Sequence, residues 1–178
     1  MTSLKLKSFC IAVSVFALNA QAAREEYPMG PHPSLTPGSM CDSKTTRHPQ
    51  KIPFCKRSVS STDKWEVIEA YNRLHDSNPD VPRYDINHRN RGQFKIDHFI
   101  PLCIGGSNDH DNLWPQHITI YEQTDNVEHM TCQLVSMGKM KQKDAIELVR
   151  RAKLNLDEAA GIREELEDRL GLDHRRGR

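Results

Sequence analysis

Apolar residues recur at helical spacing in several stretches of the chain and alternate with polar ones in another. Trp65, Ile68, Tyr71 and Leu74 fall every third or fourth residue behind Ser60, Ser61, Thr62 and Asp63, a polar run suited to capping, which predicts a helix over 62–74. Val127, Met130, Leu134 and Met137 keep one register, predicting a second helix over 121–137 that Gly138 would end. Ala145, Ile146, Leu148, Val149 and Ala152 predict a third over 141–153, and the charged run 157–170 a fourth, peripheral one. Between the first two, Phe94 and Ile96 alternate with Lys95 and Asp97, which reads as a strand within 93–101. A turn-forming segment with Gly105 and Gly106 leads from it to a second short strand around Leu113 and Trp114. Residues 24–40 carry Pro28, Pro31, Pro33, Pro37, Gly30 and Gly38 and read as an extended lead-in, with folded structure starting near Cys41. The pattern predicts an α+β fold, mainly helical, with a small strand pair.

The first residues do not belong to that pattern. Lys5 and Lys7 precede an apolar stretch over 9–18, and Ala20-Gln21-Ala22 follows with small residues at signal-peptidase spacing, so 1–22 reads as a cleavable secretory leader. The stretch is shorter than the roughly 20 residues that span a bilayer. The expected organisation is a leader over 1–22, a lead-in over 23–40, a main domain over 41–154 and a charged helical extension over 155–178, in a secreted or periplasmic protein with no membrane attachment after cleavage. Past the leader four cysteines remain, Cys41, Cys55, Cys103 and Cys132, an even set that favours disulfides in an exported chain. Three pairings are open; closeness in sequence favours Cys41 with Cys55 and Cys103 with Cys132.

A 178-residue chain with 37% hydrophobic residues and a mean hydropathy of -0.70 excludes both wholesale disorder and a polytopic membrane protein. Its formal charge of +1 excludes a uniformly basic coat, but the sum hides a division. Residues 41–95 hold 11 Lys and Arg against 7 Asp and Glu, whereas 96–138 hold no Lys or Arg and 6 acids. That second stretch also carries His98, His110, His117 and His129. Carboxylates with Asn and His suit a hard divalent cation, and they equally make a solvated acidic face.

The run Ile96-Asp97-His98-Phe99-Ile100-Pro101-Leu102, followed by Gly105-Gly106-Ser107-Asn108 and then Asn112-Leu113-Trp114-Pro115, resembles the HNH nuclease family, most closely its small exported members. Cys55-Lys56-Arg57-Ser58-Val59-Ser60 matches an element that those members carry before their first helix, and the resemblance covers about residues 41–153. It implies a ββα-metal finger embedded in a disulfide-stabilised helical domain. It also implies a metal-dependent endonuclease that hydrolyses phosphodiester bonds of DNA, with RNA as a further substrate class, without strong sequence preference and leaving a 5′-phosphate. His98 would be the general base, Asp97 a metal ligand, and Asn112, 14 residues after His98, the brace of the loop that orients the base. The expected metal is Mg2+, with Mn2+, Ca2+ and Zn2+ as alternatives, and the expected partner is the nucleic acid alone, bound by a monomer.

The family's third element falls near residue 121, where this chain has Tyr121 and Glu122. The candidates for a second metal ligand are His117, Glu122, Asp125, Asn126 and Glu128. Asp125 and Glu128 match an acidic pair of the exported relatives, and would equally serve as a capping box at a helix start. Arg57 is a candidate for holding the phosphate during catalysis, or for a structural ion pair; Arg89, Arg91 and Lys95 are candidates for flanking the cleft as phosphate-positioning cations, or for a solvated basic face. Trp65 and Trp114 read as core, and His88, His110 and His129 as surface or satisfied histidines. The competing function is a non-catalytic exported nucleic-acid-binding or surface-binding protein that keeps a degenerate finger.

Overall fold

The computed structural model describes residues 27–172. The expected leader lies outside them, and no helix among the described residues is long and apolar enough to cross a membrane. Two short two-stranded sheets and four α-helices follow one another along the chain: β1 (Thr46–Arg47), β2 (Ile52–Pro53), α1 (Ser61–Ser77), β3 (Phe94–His98), β4 (Leu113–His117), α2 (Ile118–Ser136), α3 (Gln142–Leu154) and α4 (Leu156–Leu170).

The polar run before α1 caps it as expected. The Ser60 hydroxyl accepts from the Asp63 amide, and the Asp63 carboxylate accepts from the Ser60 amide, a reciprocal capping box. α1 buries Val67, Ile68, Tyr71 and Leu74; Trp65 stays half-buried, because Val67 takes part of the inward face. β3 and β4 pair antiparallel with Phe94 opposite His117, Asp97 opposite Trp114 and His98 opposite Leu113. The second strand is longer than the predicted Leu113 and Trp114, since Pro115 lacks an N–H and a two-stranded ribbon leaves it an outer edge where none is required.

Between the strands, the loop turns back so tightly that a side chain at Gly106 would place its Cβ 1.8 Å from the Ile100 carbonyl oxygen, and Gly105 has φ +96°. Asn112 sits wholly buried inside this loop. It accepts from the Ile100 amide at 2.8 Å and donates to the carbonyls of Ile100 and Ser107, each at 2.9 Å. The three bonds satisfy backbone groups that the loop would otherwise bury unpaired.

α2 begins at Ile118, three residues earlier than the periodicity predicted, because His117 caps it by accepting from the Thr119 amide. Asp125 and Glu128 therefore lie inside the helix, and the capping-box reading of that pair is incorrect. The fourth helix is not peripheral: Ala159, Ile162 and Leu166 enter the same core as Val127, Met130, Leu134, Leu148, Val149 and Ala152. Nor does packed structure wait for Cys41. Tyr27, Met29 and Leu35 pack against the second core, around Ile68, Tyr71, Phe99, Trp114 and Ile120, and the buried Thr36 hydroxyl lies 2.8 Å from the Tyr71 hydroxyl and donates to the Leu113 carbonyl at 2.9 Å. The cysteines pair as closeness in sequence favoured, Cys41 with Cys55 and Cys103 with Cys132. The first closes the β1–β2 ribbon; the second ties the inter-strand loop to α2.

Candidate active site at the end of the β3–β4 ribbon

Asp97 and His98 are the last residues of β3, and successive strand residues face opposite ways. Their side chains accordingly meet different partners. His98 turns toward the segment ahead of α1, where its Nε2 lies 3.1 Å from the Asn108 side-chain oxygen. Asn108 is itself oriented twice: its Nδ2 donates to the Lys56 carbonyl at 2.9 Å and its Oδ1 accepts from the Ser58 amide at 3.1 Å. With the oxygen so assigned, Nε2 of His98 must donate, and in the neutral ring Nδ1 keeps the lone pair. Burial lowers the His98 pKa from its ordinary value, and the Arg57 and Lys153 charges push the same way against the pull of Asn108 and Asp97. His98 is buried and neutral at pH 7, with Nδ1 unprotonated.

Asp97 turns toward the helices. Its Oδ2 accepts from the Lys153 ammonium at 2.6 Å, and that same Nζ reaches the His98 carbonyl at 2.6 Å and Glu128 Oε1 at 2.7 Å. Lys153 has no exposed surface. On the other side, the Lys95 ammonium lies 3.6 Å from Asp97 Oδ1 and 2.6 Å from Asp125 Oδ1, over the Tyr121 ring. Burial opposes the Asp97 charge, but the Lys153 and Lys95 ammoniums outweigh it and hold the carboxyl below its usual range. Glu128 has the opposite balance: burial, with the adjacent Asp97 charge, pushes it up to about 7 against the pull of Lys153.

The remaining expected residues divide by place. Arg57 is exposed and donates from Nη2 to the Ile96 carbonyl at 3.1 Å, which sets its guanidinium beside β3 close enough to depress His98. Asn112 braces the loop as described. Asp125 reaches the Asp97 cluster and Glu128 joins it through Lys153, whereas Glu122 is exposed and Asn126 also faces outward. His117 stands opposite Phe94, three residues and about 10 Å along the strand from Asp97. There it caps α2 and stacks on Tyr27 with ring centroids 3.8 Å apart. Arg91 bonds the Phe94 carbonyl at the entrance of β3, Arg89 is exposed, and Lys95 is held by the carboxylates just named.

Two residues at the heart of this arrangement were not assigned roles by sequence reasoning. Asn108 stood in the Gly-Gly-Ser-Asn element, and Lys153 continued the buried stripe of α3 four residues after Val149, where a lysine is out of place unless paired. Away from the ribbon, Asp63, Glu66 and His110 bring one ligand atom each within 4.8 Å of one another, with His110 Nε2 3.7 and 3.5 Å from the two carboxylates. Asp63 Oδ2 serves the α1 cap while its Oδ1 faces His110, so the three form a largely exposed acid and histidine cluster at the start of α1.

No family model, curated protein or solved structure matches the chain.

Proposed function

We propose that the protein is an exported endonuclease of the HNH type, hydrolysing phosphodiester bonds with His98 as general base. The observation that carries this reading is the fixed tautomer of His98. Asn108, anchored to Lys56 and Ser58, takes the Nε2 hydrogen and leaves Nδ1 as a proton acceptor, while burial keeps the ring neutral. Water deprotonated at Nδ1 attacks phosphorus, the P–O3′ bond breaks and the departing 3′ oxygen takes a proton from solvent, while the exposed Arg57 guanidinium, near His98, holds a phosphate oxygen by charge-assisted hydrogen bonds. Asn112 fixes the loop behind the ring. The strand, loop, strand and helix order of β3, β4 and α2 supports a ββα finger as the frame.

Of the residues expected to bind metal, Asp97 and Asp125 turn carboxylate oxygens toward one shared position. Asp97 Oδ1 and Asp125 Oδ1 already share a cation, the Lys95 ammonium, whose side chain is one-third exposed and able to move aside. These two residues would hold the ion, which would supply positive charge at the end of β3 in place of the Lys95 ammonium. Glu128 is drawn away by Lys153, and His117 is occupied at the far end of β4.

The non-catalytic alternative has one observation in its favour, the two ammoniums already on Asp97. Oxidised protein incubated with supercoiled plasmid and Mg2+ separates the two readings. Hydrolysis predicts nicking that EDTA abolishes and that His98→Ala reduces by about 100-fold or more; nicking equal to that of His98→Ala would reject it.

A further inference from the structure

The β1–β2 ribbon has no part in the site described above, yet its outer side borders it. Ser43, Thr45, Arg47, Phe54, Cys55, Lys56 and Asn108 line an open groove of about 430 Å3, within the roughly 300–1,000 Å3 that accommodate small organic units. Asn108 is shared: one side of it walls the groove and its oxygen holds the His98 ring. Lys56 lines the groove and anchors Asn108 with its carbonyl. The groove and the general base are therefore one residue apart.

Its chemistry is that of a polyanion site. Residues 41–57 carry Lys44, Arg47, Lys51, Lys56 and Arg57 against a single acid, Asp42. Arg47 and Lys56 are exposed, and the Arg47 guanidinium lies on the Phe54 ring with its carbon 3.3 Å from the ring centroid. A guanidinium over an aromatic ring presents a cationic surface beside which an unpaired base stacks, and Lys56 supplies a point charge for phosphate. The Cys41–Cys55 disulfide fixes the ribbon, so this wall does not have to be ordered when a ligand enters.

We infer that this groove is a strand-holding subsite that takes one unpaired nucleotide of a single-stranded nucleic acid next to the phosphate cut at His98. The base stacks on the Arg47–Phe54 pair and its phosphate meets Lys56. The inference rests on the nuclease reading for its placement beside the cut, but binding in the groove does not require hydrolysis.

The test is fluorescence anisotropy of a fluorescein-labelled single-stranded 12-mer with the oxidised full chain in EDTA, titrated at several salt concentrations. Arg47→Gln with Lys56→Gln should weaken binding about tenfold or more and reduce the salt slope by roughly 0.7, for the one phosphate-neutralising cation, Lys56, lost on a single strand. Phe54→Leu should weaken binding by about fivefold or more with the slope unchanged. The control, Arg73→Gln with Arg169→Gln, removes the same charge from exposed positions on α1 and α4. Loss in the groove variants beyond the control supports the subsite, as does weaker binding of a blunt duplex. Groove variants that match the control, or a wild-type chain that does not bind the 12-mer, overturn it. Plasmid nicking is scored separately, so cleavage with unaltered groove variants defeats this inference alone, and groove-dependent binding without cleavage defeats the hydrolase reading alone.

Discussion

Replacing Lys153 by Met keeps the length of the side chain in α3 and removes the ammonium from between Asp97 and Glu128. In the native protein that ammonium is wholly buried and touches Asp97 Oδ2 at 2.6 Å, Glu128 Oε1 at 2.7 Å and the His98 carbonyl at 2.6 Å. Its loss leaves two neighbouring carboxylates with little solvent and a carbonyl without its donor. Removing one partner of a buried ion pair costs about 3–5 kcal/mol, which for a chain of this size lowers Tm by roughly 6–20 °C. The sign of the pH dependence follows from the same geometry. Without Lys153, the Glu128 carboxyl, already raised by burial to about 7, rises further, and Asp97 keeps only Lys95 against the burial that raises it. The penalty is then absent below the unfolded pKa and grows as pH rises through the folded one. Thermal unfolding of Lys153→Met and wild type in EDTA should therefore show a wide gap at about pH 7.5 and a narrower one at about pH 5. Adding Asp97→Asn to the variant should recover part of the loss at the higher pH. A variant within about 1 °C of wild type at pH 7.5, or a gap that does not shrink on acidification, would refute the account of this cluster.

The loop and the cross-links give further expectations. Gly106→Ala would drive a Cβ to 1.8 Å from the Ile100 carbonyl oxygen, a clash with backbone that cannot swing away. It should cost at least about 3 kcal/mol or prevent folding, read as a loss of cooperative thermal unfolding. Opening the disulfides singly with paired Cys→Ser substitutions should cost about 3 kcal/mol for the 14-residue Cys41–Cys55 separation and about 3.6 kcal/mol for the 29-residue Cys103–Cys132 separation, on chain-entropy grounds, measured by urea titration. Equal stability of reduced and oxidised protein would contradict this.

The elements with long apolar stripes were legible in the sequence because their periodicity is set by burial along one face: the stripes of α1, α2 and α3 lie where Ile68, Tyr71, Val127, Leu134, Leu148 and Val149 predicted. The boundaries depended on caps. Ser60 with Asp63 announced the start of α1, whereas the role of His117 at the start of α2 depends on its ring reaching the Thr119 amide, which no spacing rule reports. The β1–β2 ribbon has no signature in the sequence pattern. Its strands are two residues each, too short to alternate, and the turn sets His48 and Lys51 at φ 62° and 55°, where glycine or asparagine would have been the signal. α4 was judged by its charged surface, although Ala159, Ile162 and Leu166 recur at three- and four-residue steps and carry it into the core. At the site, Asp97, His98 and Asn112 were prominent as a motif, but Asn108 and Lys153 act through tertiary contacts with residues 10 and 56 positions away.

If a neutral His98, with Nδ1 unprotonated, takes the proton from the attacking water, the pH dependence of phosphodiester cleavage, recorded in parallel for wild type and His98→Ala, carries its signature. Because burial lowers the His98 pKa, wild-type kcat/KM should rise with pH to an inflection below about 6.5, the unperturbed histidine value, and then level off. His98→Ala should be slower by about 100-fold or more and lack that inflection. Absence of cleavage by the wild-type chain, or the same inflection surviving in His98→Ala, would rule out His98 as the general base.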